Sequence, residues 1–255
     1  MTSNVKLLAV DIGNSNATFA LMRDREALQT FDLPSNSSAE ELQSELRSRL
    51  EPDDWKLPCI IASVNPRACA GVEAALRRCG IQDLAVLGRD YKVPIDNRTA
   101  VPDQVGQDRL VNALAATRHS QGQAIVVDFG TAITFDVLKD GAYCGGVITP
   151  GIGLAMEALH QRTALLPLVK PHGKPPILGR DTVSAINAGV FYGYIGLVHN
   201  IIVELRTVFE SKPRVLATGG YGSYIAPYIP EIEESLPHLT HEGIALSHCL
   251  RPTRP

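Results

Sequence analysis

The sequence has 255 residues, of which 45% are hydrophobic and 20% charged, and its formal net charge is −3 at pH 7. These are ordinary globular values, so the chain can bury a sizeable core in one large domain or two modest ones. The weak negative charge gives no reason to expect nucleic-acid binding, and the lack of any run of about 18 apolar residues predicts no membrane-spanning helix.

The first half of the chain alternates between strand and helix signals. A serine followed by acids at Ser38-Ala39-Glu40-Glu41 predicts one helix start, and Pro66 and Gly80 predict the limits of another helix. Residues 90–105, rich in Pro, Asp and Asn, predict an irregular connection. Strands are predicted over 5–10, 17–22, 25–33, 59–64 and 84–87, and helices over 39–49, 66–79 and 107–119.

The second half begins with the same pattern as the first. A strand over 124–127, a turn at Asp128-Phe129-Gly130-Thr131 and a returning strand over 133–138 echo residues 5–22. The two turn aspartates lie 117 positions apart (128 − 11). A short repeat of this kind suggests two halves of one ancestral unit, and the alternation of strands and helices indicates an α/β protein.

A long apolar stripe follows a predicted helix over 153–161 and a Pro-rich surface loop over 166–177. Apolar residues recur at spacings of three and four over 183–208, but glycines interrupt the stripe. One helix with a close neighbour and two packed helices both fit this pattern. A final buried strand is predicted over 215–218, before Gly219-Gly220.

Two Asp-x-Gly turns carry residue types suited to ATP phosphates. Glycine lets backbone amides approach a phosphate closely, and a carboxylate at a strand end can hold Mg²⁺. Asp11-x-Gly13 and Asp128-x-Gly130 each provide this pair, and Gly219-Gly220 offers a third close approach. Each turn alone is more often an ordinary hairpin, but two matching positions in a repeat make a phosphate role an equal alternative. Neither a Walker sequence nor GxGxxG is present.

Two short segments open predicted helices. Gly106-Gln107-Asp108-Arg109 is either a solvated helix start, which the spacing alone favours, or a general base beside a group that grips an anion. In Gly179-Arg180-Asp181-Thr182, capping by Asp181 or Thr182 is the favoured interpretation. The five cysteines include no CxxC pair and the seven histidines have no metal-ligand spacing, so neither set predicts a metal site.

Taken together, six segments occur in one order: DIGNSN, GQDR, DFGTAITFD, GGVITPGI, GRDTVSAINAGVFYG and ATGG. In these segments the chain resembles the type III pantothenate kinases over nearly its whole length. The resemblance implies the α/β fold of the acetate and sugar kinase, Hsp70 and actin superfamily. That fold has two duplicated ribonuclease-H-like (actin-like ATPase) domains and an interdomain cleft, expected here as residues 1–118 and 119–255. Asp11, Asp108 and Asp128 would converge on that cleft.

The resemblance also implies an activity: ATP-dependent phosphorylation of pantothenate to 4′-phosphopantothenate, the first step of coenzyme A biosynthesis. The cofactors would be ATP, Mg²⁺ and a monovalent cation, K⁺ or NH₄⁺. The partner would be a second copy of the chain, with no nucleic acid and no membrane. An N-terminus without a signal-peptide cleavage site adds the expectation of a cytoplasmic enzyme.

Site roles implied by the resemblance fall on matching positions of this sequence. Asp11 would bind Mg²⁺ with ATP, Asp128 the monovalent cation, and Asp108 would be the general base. Thr131 would contact ATP, and Arg109 would face the pantothenate carboxylate. The remaining phosphate-loop positions would be Ile12, Gly13, Asn14, Ser15, Asn16, Ala17 and Thr18, and the other substrate-binding positions Gly106, Gln107 and Thr182, the last from the partner subunit.

One position departs from the family pattern, and two other functions stay open. Thr99 stands where the family often carries an aromatic residue, so the pantothenate pocket is expected to be lined differently. The alternatives are a non-catalytic regulatory or binding relative and a phosphohydrolase of the same superfamily. Asp11, Asp108, Arg109 and Asp128 are all present, which argues against a binding-only protein.

Overall fold

The computed structural model describes residues 6–251, which form an α/β protein with two mixed five-stranded sheets. Val5, the first residue of the first predicted strand, lies outside the described residues. The strands are β1 (Lys6–Ile12), β2 (Asn16–Arg23), β3 (Glu26–Pro34), β4 (Cys59–Ser63), β5 (Leu84–Val86), β6 (Ala124–Phe129), β7 (Ala132–Lys139), β8 (Ala142–Pro150), β9 (Arg214–Thr218) and β10 (Glu234–Ser235). The α-helices are α1 (Ala39–Arg49), α2 (Pro66–Cys79), α3 (Gln107–His119), α4 (Ile152–Arg162), α5 (Thr182–Arg206), α6 (Gly222–Ile225) and α7 (Leu239–Cys249).

The described part of the chain folds into two compact units. Unit 1 holds residues 6–118 and 238–251, and unit 2 holds residues 119–237. The division falls after residue 118, and the chain returns to unit 1 at residue 238, where α7 packs against strands of unit 1. No local signal marked this return of the chain, since it depends on residues more than 200 positions apart in sequence coming together.

The sheet of unit 1 has the order β3-β2-β1-β4-β5. The hairpin strands β1, β2 and β3 pair antiparallel, whereas β1, β4 and β5 are parallel. Alternate residues of β1, Leu8, Val10 and Ile12, enter a core that α1 and α2 complete from one face. The helix α7 packs against β1, β2, β3 and β4.

The sheet of unit 2 repeats the strand order of the first, as β8-β7-β6-β9-β10. Strands β6, β7 and β8 pair antiparallel, and β6, β9 and β10 are parallel. Its core combines β6 and β7 with α4, α5 and α6. The strand-turn-strand echo predicted at Asp128 is therefore a real hairpin, as is the one at Asp11.

Local capping signals placed several helix ends correctly. Ser38 and Glu41 form a capping box at the start of α1, and Asn65 caps α2 with Pro66 at its first position. Gly80 ends α2 in the left-handed conformation, at φ 111°. Asp181 caps α5 by accepting a hydrogen bond from the Ser184 backbone, as the capping interpretation expected.

The apolar stripe is one continuous helix, α5, so the two-helix alternative is wrong. Its glycines lower helix propensity, but they do not break it because the buried apolar residues of the same helix pack into the core of unit 2. By length and apolar composition α5 would also suit a membrane span. Its Val198 and Ile202 are fully buried, so one side of α5 packs into the core of unit 2.

Candidate active site

Asp11 stands near the end of β1, at the edge where the parallel strands of unit 1 finish. In the sheet it pairs with Thr18 on β2 and with Ala62 on β4. The turn that follows is closed by a hydrogen bond from the Gly13 N–H to the Asn16 carbonyl, 2.9 Å long. In open α/β sheets, ligands bind beyond the carboxyl ends of parallel strands, and Asp11 lies at such an end.

The predicted phosphate-loop residues differ in how they are placed. Asn14, Ser15 and Asn16 are exposed at the tip of the turn, while Ile12 and Ala17 are buried in the sheet. Ser35, after β3, braces the turn, because its hydroxyl donates to the Gly13 carbonyl over 2.9 Å and its N–H donates to the Ser15 carbonyl. The turn therefore offers backbone and side-chain polar groups at its tip, supported from β3.

Thr18 has both of its polar groups engaged inside unit 1. Its hydroxyl donates to Asp32 Oδ1 over 2.7 Å, and its carbonyl accepts from His241 Nε2 over 3.2 Å. Because the acceptor is a carbonyl, His241 carries a proton on Nε2. Thr18 therefore helps to hold the turn in place and is not part of its exposed tip.

The Asp108 carboxylate is packed closely against the Gly106 backbone. A Cβ added at Gly106 would overlap the Asp108 Oδ1 atom and come within 3.3 Å of Val64 Cγ1. Asp108 Oδ1 also accepts a hydrogen bond from the Arg109 N–H over 2.8 Å. The carboxylate is therefore folded back over the glycine at the N-terminus of α3, where a helix favours negative charge.

A chain of contacts links Asp108 to the strand that carries Asp11. The Val64 N–H, just after β4, donates to the Ile12 carbonyl over 3.0 Å. Val64 Cγ1 in turn packs against Gly106, which carries the Asp108 carboxylate above it. Asp11 and Asp108 thus lie at the same edge of the unit 1 sheet, although they are 97 positions apart in sequence (108 − 11).

Burial sets the electrostatics of Asp108. Loss of solvation raises the pKa of its carboxyl above the ordinary value of 3.8, and this outweighs the lowering by the Arg109 N–H and guanidinium. A carboxylate with a raised pKa is a better proton acceptor at neutral pH than an exposed one.

Gly88 was not predicted, and it shapes the surroundings of Gln107. It has a φ of 82°, and a Cβ there would lie 2.8 Å from Gln107 Cδ and Nε2. Among the described residues the buried Gln107 Oε1 has no hydrogen-bond partner. Gly88 follows β5, so its position at the end of a parallel strand was the available sequence signal.

Thr99 is tied to the loop that precedes the GQDR segment. Its N–H and its hydroxyl both reach Asn97 Oδ1, at 3.1 and 2.8 Å. The side chain that replaces the family's aromatic residue is therefore engaged in a local turn. The nearby Tyr91 ring is covered by the Arg251 guanidinium, 4.8 Å from its centroid.

In unit 2, Asp128 occupies the position that corresponds to Asp11. It pairs with Thr134 on β7 and with Thr218 on β9, so the three side chains share one face of the sheet. A Cβ at Gly219, whose φ is 86°, would overlap Asp128 Oδ1. Glycine is thus required where β9 ends beside the Asp128 carboxylate.

The other predicted residues of unit 2 are exposed. Thr131 lies at the β6–β7 turn, and its carbonyl accepts from the Gly151 N–H over 3.0 Å. A Cβ at Gly151 would overlap the carbonyls of Gly130 and Thr131, so the start of α4 is held tightly against this turn. Thr182 is the first residue of α5 and is exposed.

The donor groups fit the ions that were expected from the sequence. Mg²⁺ in nucleotide sites takes one or two carboxylates beside the phosphates, and Asp11 is one such carboxylate at a strand end. Thr218 is 1% exposed, and its hydroxyl has no hydrogen-bond partner among residues 6–251. This hydroxyl stands in register beside Asp128, so the two oxygen-bearing side chains suit a hard monovalent cation. No group of three or more His, Cys, Asp or Glu in the described part of the chain forms a separate metal cluster.

His241 makes the stability of the protein sensitive to acid. Burial lowers its pKa from 6.5 to about 4, with a smaller lowering by His238, while the Thr18 carbonyl and Asp32 act in the opposite direction. The unfolded chain therefore binds a proton between these two pKa values that the folded chain does not. We expect the contribution of His241 to the free energy of unfolding to be constant above pH 6.5 and to fall by about 3 kcal/mol between there and pH 4.

Urea unfolding at several pH values measures this effect, with His241→Gln as the matched variant because glutamine keeps a donor and does not titrate. Its unfolding free energy should lose this part of the acid dependence. Equal slopes for the variant and the natural chain between pH 6.5 and pH 4 would contradict the assignment to His241.

Comparison with known proteins adds family information to this geometry. A family model described as type III pantothenate kinase matches residues 7–204. The type III pantothenate kinase of Paramagnetospirillum magneticum (strain AMB-1) is 38% identical over 255 aligned positions, which cover 95% of this chain and 96% of that protein.

Two solved structures are similar in fold. One is described as a Baf family transcriptional activator from Campylobacter jejuni, with a TM-score of 0.65, 21% identity and coverage of 97% of this chain and 100% of that one. The other is a ROK family glucokinase from Streptomyces griseus, with a TM-score of 0.55, 11% identity and coverage of 94% and 98%. At these identities the likeness concerns the fold, which is that of actin-like ATPases and sugar kinases.

Proposed function

The chain belongs to the type III pantothenate kinase family, and from this premise we propose that it phosphorylates pantothenate with ATP. The product would be 4′-phosphopantothenate, and the reaction would begin coenzyme A biosynthesis. The observation that carries the proposal is the Asp108 carboxylate, half-buried and folded over Gly106 at the same sheet edge as Asp11. A carboxylate held in this way is suited to accept a proton from an alcohol.

In the proposed mechanism, Asp108 accepts the proton of the primary hydroxyl of pantothenate. The hydroxyl oxygen forms a bond to the γ-phosphorus, and the bond between that phosphorus and the β,γ-bridging oxygen breaks, which releases ADP. Little covalent chemistry falls to the protein, so positioning and electrostatics supply most of the rate. The raised pKa of Asp108 makes it a stronger base for this step.

Other residues of this chain would bind and orient the substrates. Backbone amides at the exposed tip of the turn, after Gly13, would donate to phosphate oxygens, and Thr131 would contact ATP from its exposed turn. Arg109 would pair with the pantothenate carboxylate through two parallel hydrogen bonds. The buried Gln107 Oε1 can accept from the amide or a hydroxyl of pantothenate.

Ions would be held by the carboxylates at the two strand ends. Asp11 would hold Mg²⁺ together with the nucleotide, and Asp128 with Thr218 would hold K⁺ or NH₄⁺. Bound there, these cations would offset the charge that develops on the phosphates. The in-register placement of Asp128 and Thr218 supports the second assignment.

The proposal extends to the architecture and the assembly. Two duplicated ribonuclease-H-like domains are inferred from the family and from the matching strand order of the two sheets. We also expect a cytoplasmic homodimer. The exposed side of α5 carries Gly189, Gly193 and Gly196 in open space, which permits close approach of a second copy. Thr182 begins the same helix, so this dimer would bring it towards the partner subunit, as its proposed contact with pantothenate requires.

An ADP-release assay tests the proposed activity. ADP should form only when pantothenate is present, and pantoate, sugars and buffer alone serve as acceptor controls, each with and without K⁺. ADP or phosphate release without an acceptor would indicate a phosphohydrolase instead. Tight ATP binding with no release under any condition would indicate the non-catalytic relative.

A further inference from the structure

The C-terminal helix α7 touches both elements that carry the carboxylates of unit 1. It is buried on all sides over residues 239–247, which means that it lies between other elements. On one side it packs against β1, β2, β3 and β4. On the other it reaches α3, the helix that begins at Gln107.

One contact with the sheet is a hydrogen bond made by His241. Its Nε2 donates to the Thr18 carbonyl over 3.2 Å, and Thr18 is the residue paired with Asp11 in the antiparallel ladder. Arg25, in the β2–β3 turn, adds an ion pair to Glu242 at 3.8 Å. A shift of α7 would therefore be transmitted to the residue directly opposite Asp11.

The contact with α3 is made by Gly243, two residues further along. A Cβ at Gly243 would overlap the carbonyl of Val111, so the backbones of α7 and α3 touch at this point. The carbonyl and Cβ of Val111 are the atoms that meet it, and Val111 lies one turn after Asp108. Positions two apart on a helix point to nearly opposite sides, as a helix held between two elements requires.

Resting on the proposed kinase activity, we propose that α7 is a spacer that sets the separation between Asp11 and Asp108. His241 contacts Thr18 and Gly243 contacts Val111, and in this proposal both are positioning residues. Because about 1 Å of misplacement can cost roughly a hundredfold in rate, the thickness of this helix matters for catalysis.

Three variants separate the two contacts. His241→Leu removes the hydrogen bond to Thr18, and we expect it to raise the KM for ATP about tenfold. His241→Gln restores a donor at a similar reach and should return that KM to within about twofold of the natural value. Gly243→Ala pushes α3 away, and we expect it to lower kcat about a hundredfold with little change in the KM for ATP.

Ile244→Val is the matched control, because it removes one carbon from a buried side chain of the same helix without changing either contact. It should lower the unfolding midpoint and leave kcat and both KM values unchanged. If His241→Leu and Gly243→Ala behave like Ile244→Val, with reduced stability and unaltered kinetics, α7 is a core helix only and the spacer proposal is overturned.

A separate measurement keeps this test independent of the proposed activity. If the natural chain does not phosphorylate pantothenate, the kinase proposal fails, and amide hydrogen exchange then tests α7. Faster exchange in His241→Leu than in Ile244→Val at the Gly13–Thr18 segment would support the spacer role. Equal exchange in the two variants would overturn it.

Discussion

The variant Asp108→Asn should fold normally and lose about two to four orders of magnitude in kcat, because the amide cannot accept the proton of the attacking hydroxyl. The pH profile should change as well. The active form of Asp108 is ionised, so kcat/KM of the natural enzyme falls as the pH drops through a pKa that burial raises above 3.8. That acid limb should be absent from the residual activity of the variant.

Steady-state kinetics with pantothenate and ATP measure the loss, and thermal unfolding checks that the variant is folded. Asp103→Asn is a matched control, because Asp103 is 88% exposed, lies close in sequence and pairs only weakly with Lys92 at 3.5 Å. Its kinetics should be unchanged. Near-full activity in Asp108→Asn would refute the base assignment.

The variant Gly106→Ala should separate activity from stability. The new methyl group would overlap Asp108 Oδ1, and the short carboxylate can only rotate away from it. We expect kcat to fall about tenfold to a hundredfold because the base is misplaced. The backbone at Gly106 is not in the left-handed region, so alanine adds no backbone strain, and the expected loss of stability is that of the hydrogen bond from the Arg109 N–H, about 1 kcal/mol.

Gly71→Ala provides the control for this prediction. Gly71 lies inside α2, and a Cβ there would meet only Leu42 Cδ1 at 4.0 Å, an ordinary contact. This variant should be stabilised by about 1 kcal/mol through helix propensity and should keep full activity. If Gly106→Ala is as active as Gly71→Ala, the close packing of Gly106 and Asp108 has no catalytic role.

Some parts of the fold were determined by neighbouring residues. Caps and stop signals such as Ser38, Pro66 and Gly80 act within one helical turn, so the sequence alone located α1 and α2. The two Asp-x-Gly hairpins were predicted for the same reason, since both strands and the turn lie within about twenty residues. The strand β8 was not predicted, because its glycines and its half-exposed pattern weaken the strand signal.

The site was only partly visible in the sequence. Asp11, Asp108 and Asp128 could be chosen because each stands at a turn or a helix start. The residues that support them could not be chosen from the sequence. Val64 and Thr218 are ordinary strand-end residues, and only the sheet pairing shows that they lie beside Ile12 and Asp128.

The sequence by itself determined the local elements, the paired hairpins and the residue types that suit phosphate chemistry. Only the tertiary structure decided that α7 returns to unit 1, that Gly106 makes room for the Asp108 carboxylate, and that Gly243 touches α3. The physical reason is the separation along the chain of the residues that interact. Turns, caps and periodicity act between adjacent residues, whereas strand order and helix docking depend on close packing of residues that are far apart along the chain.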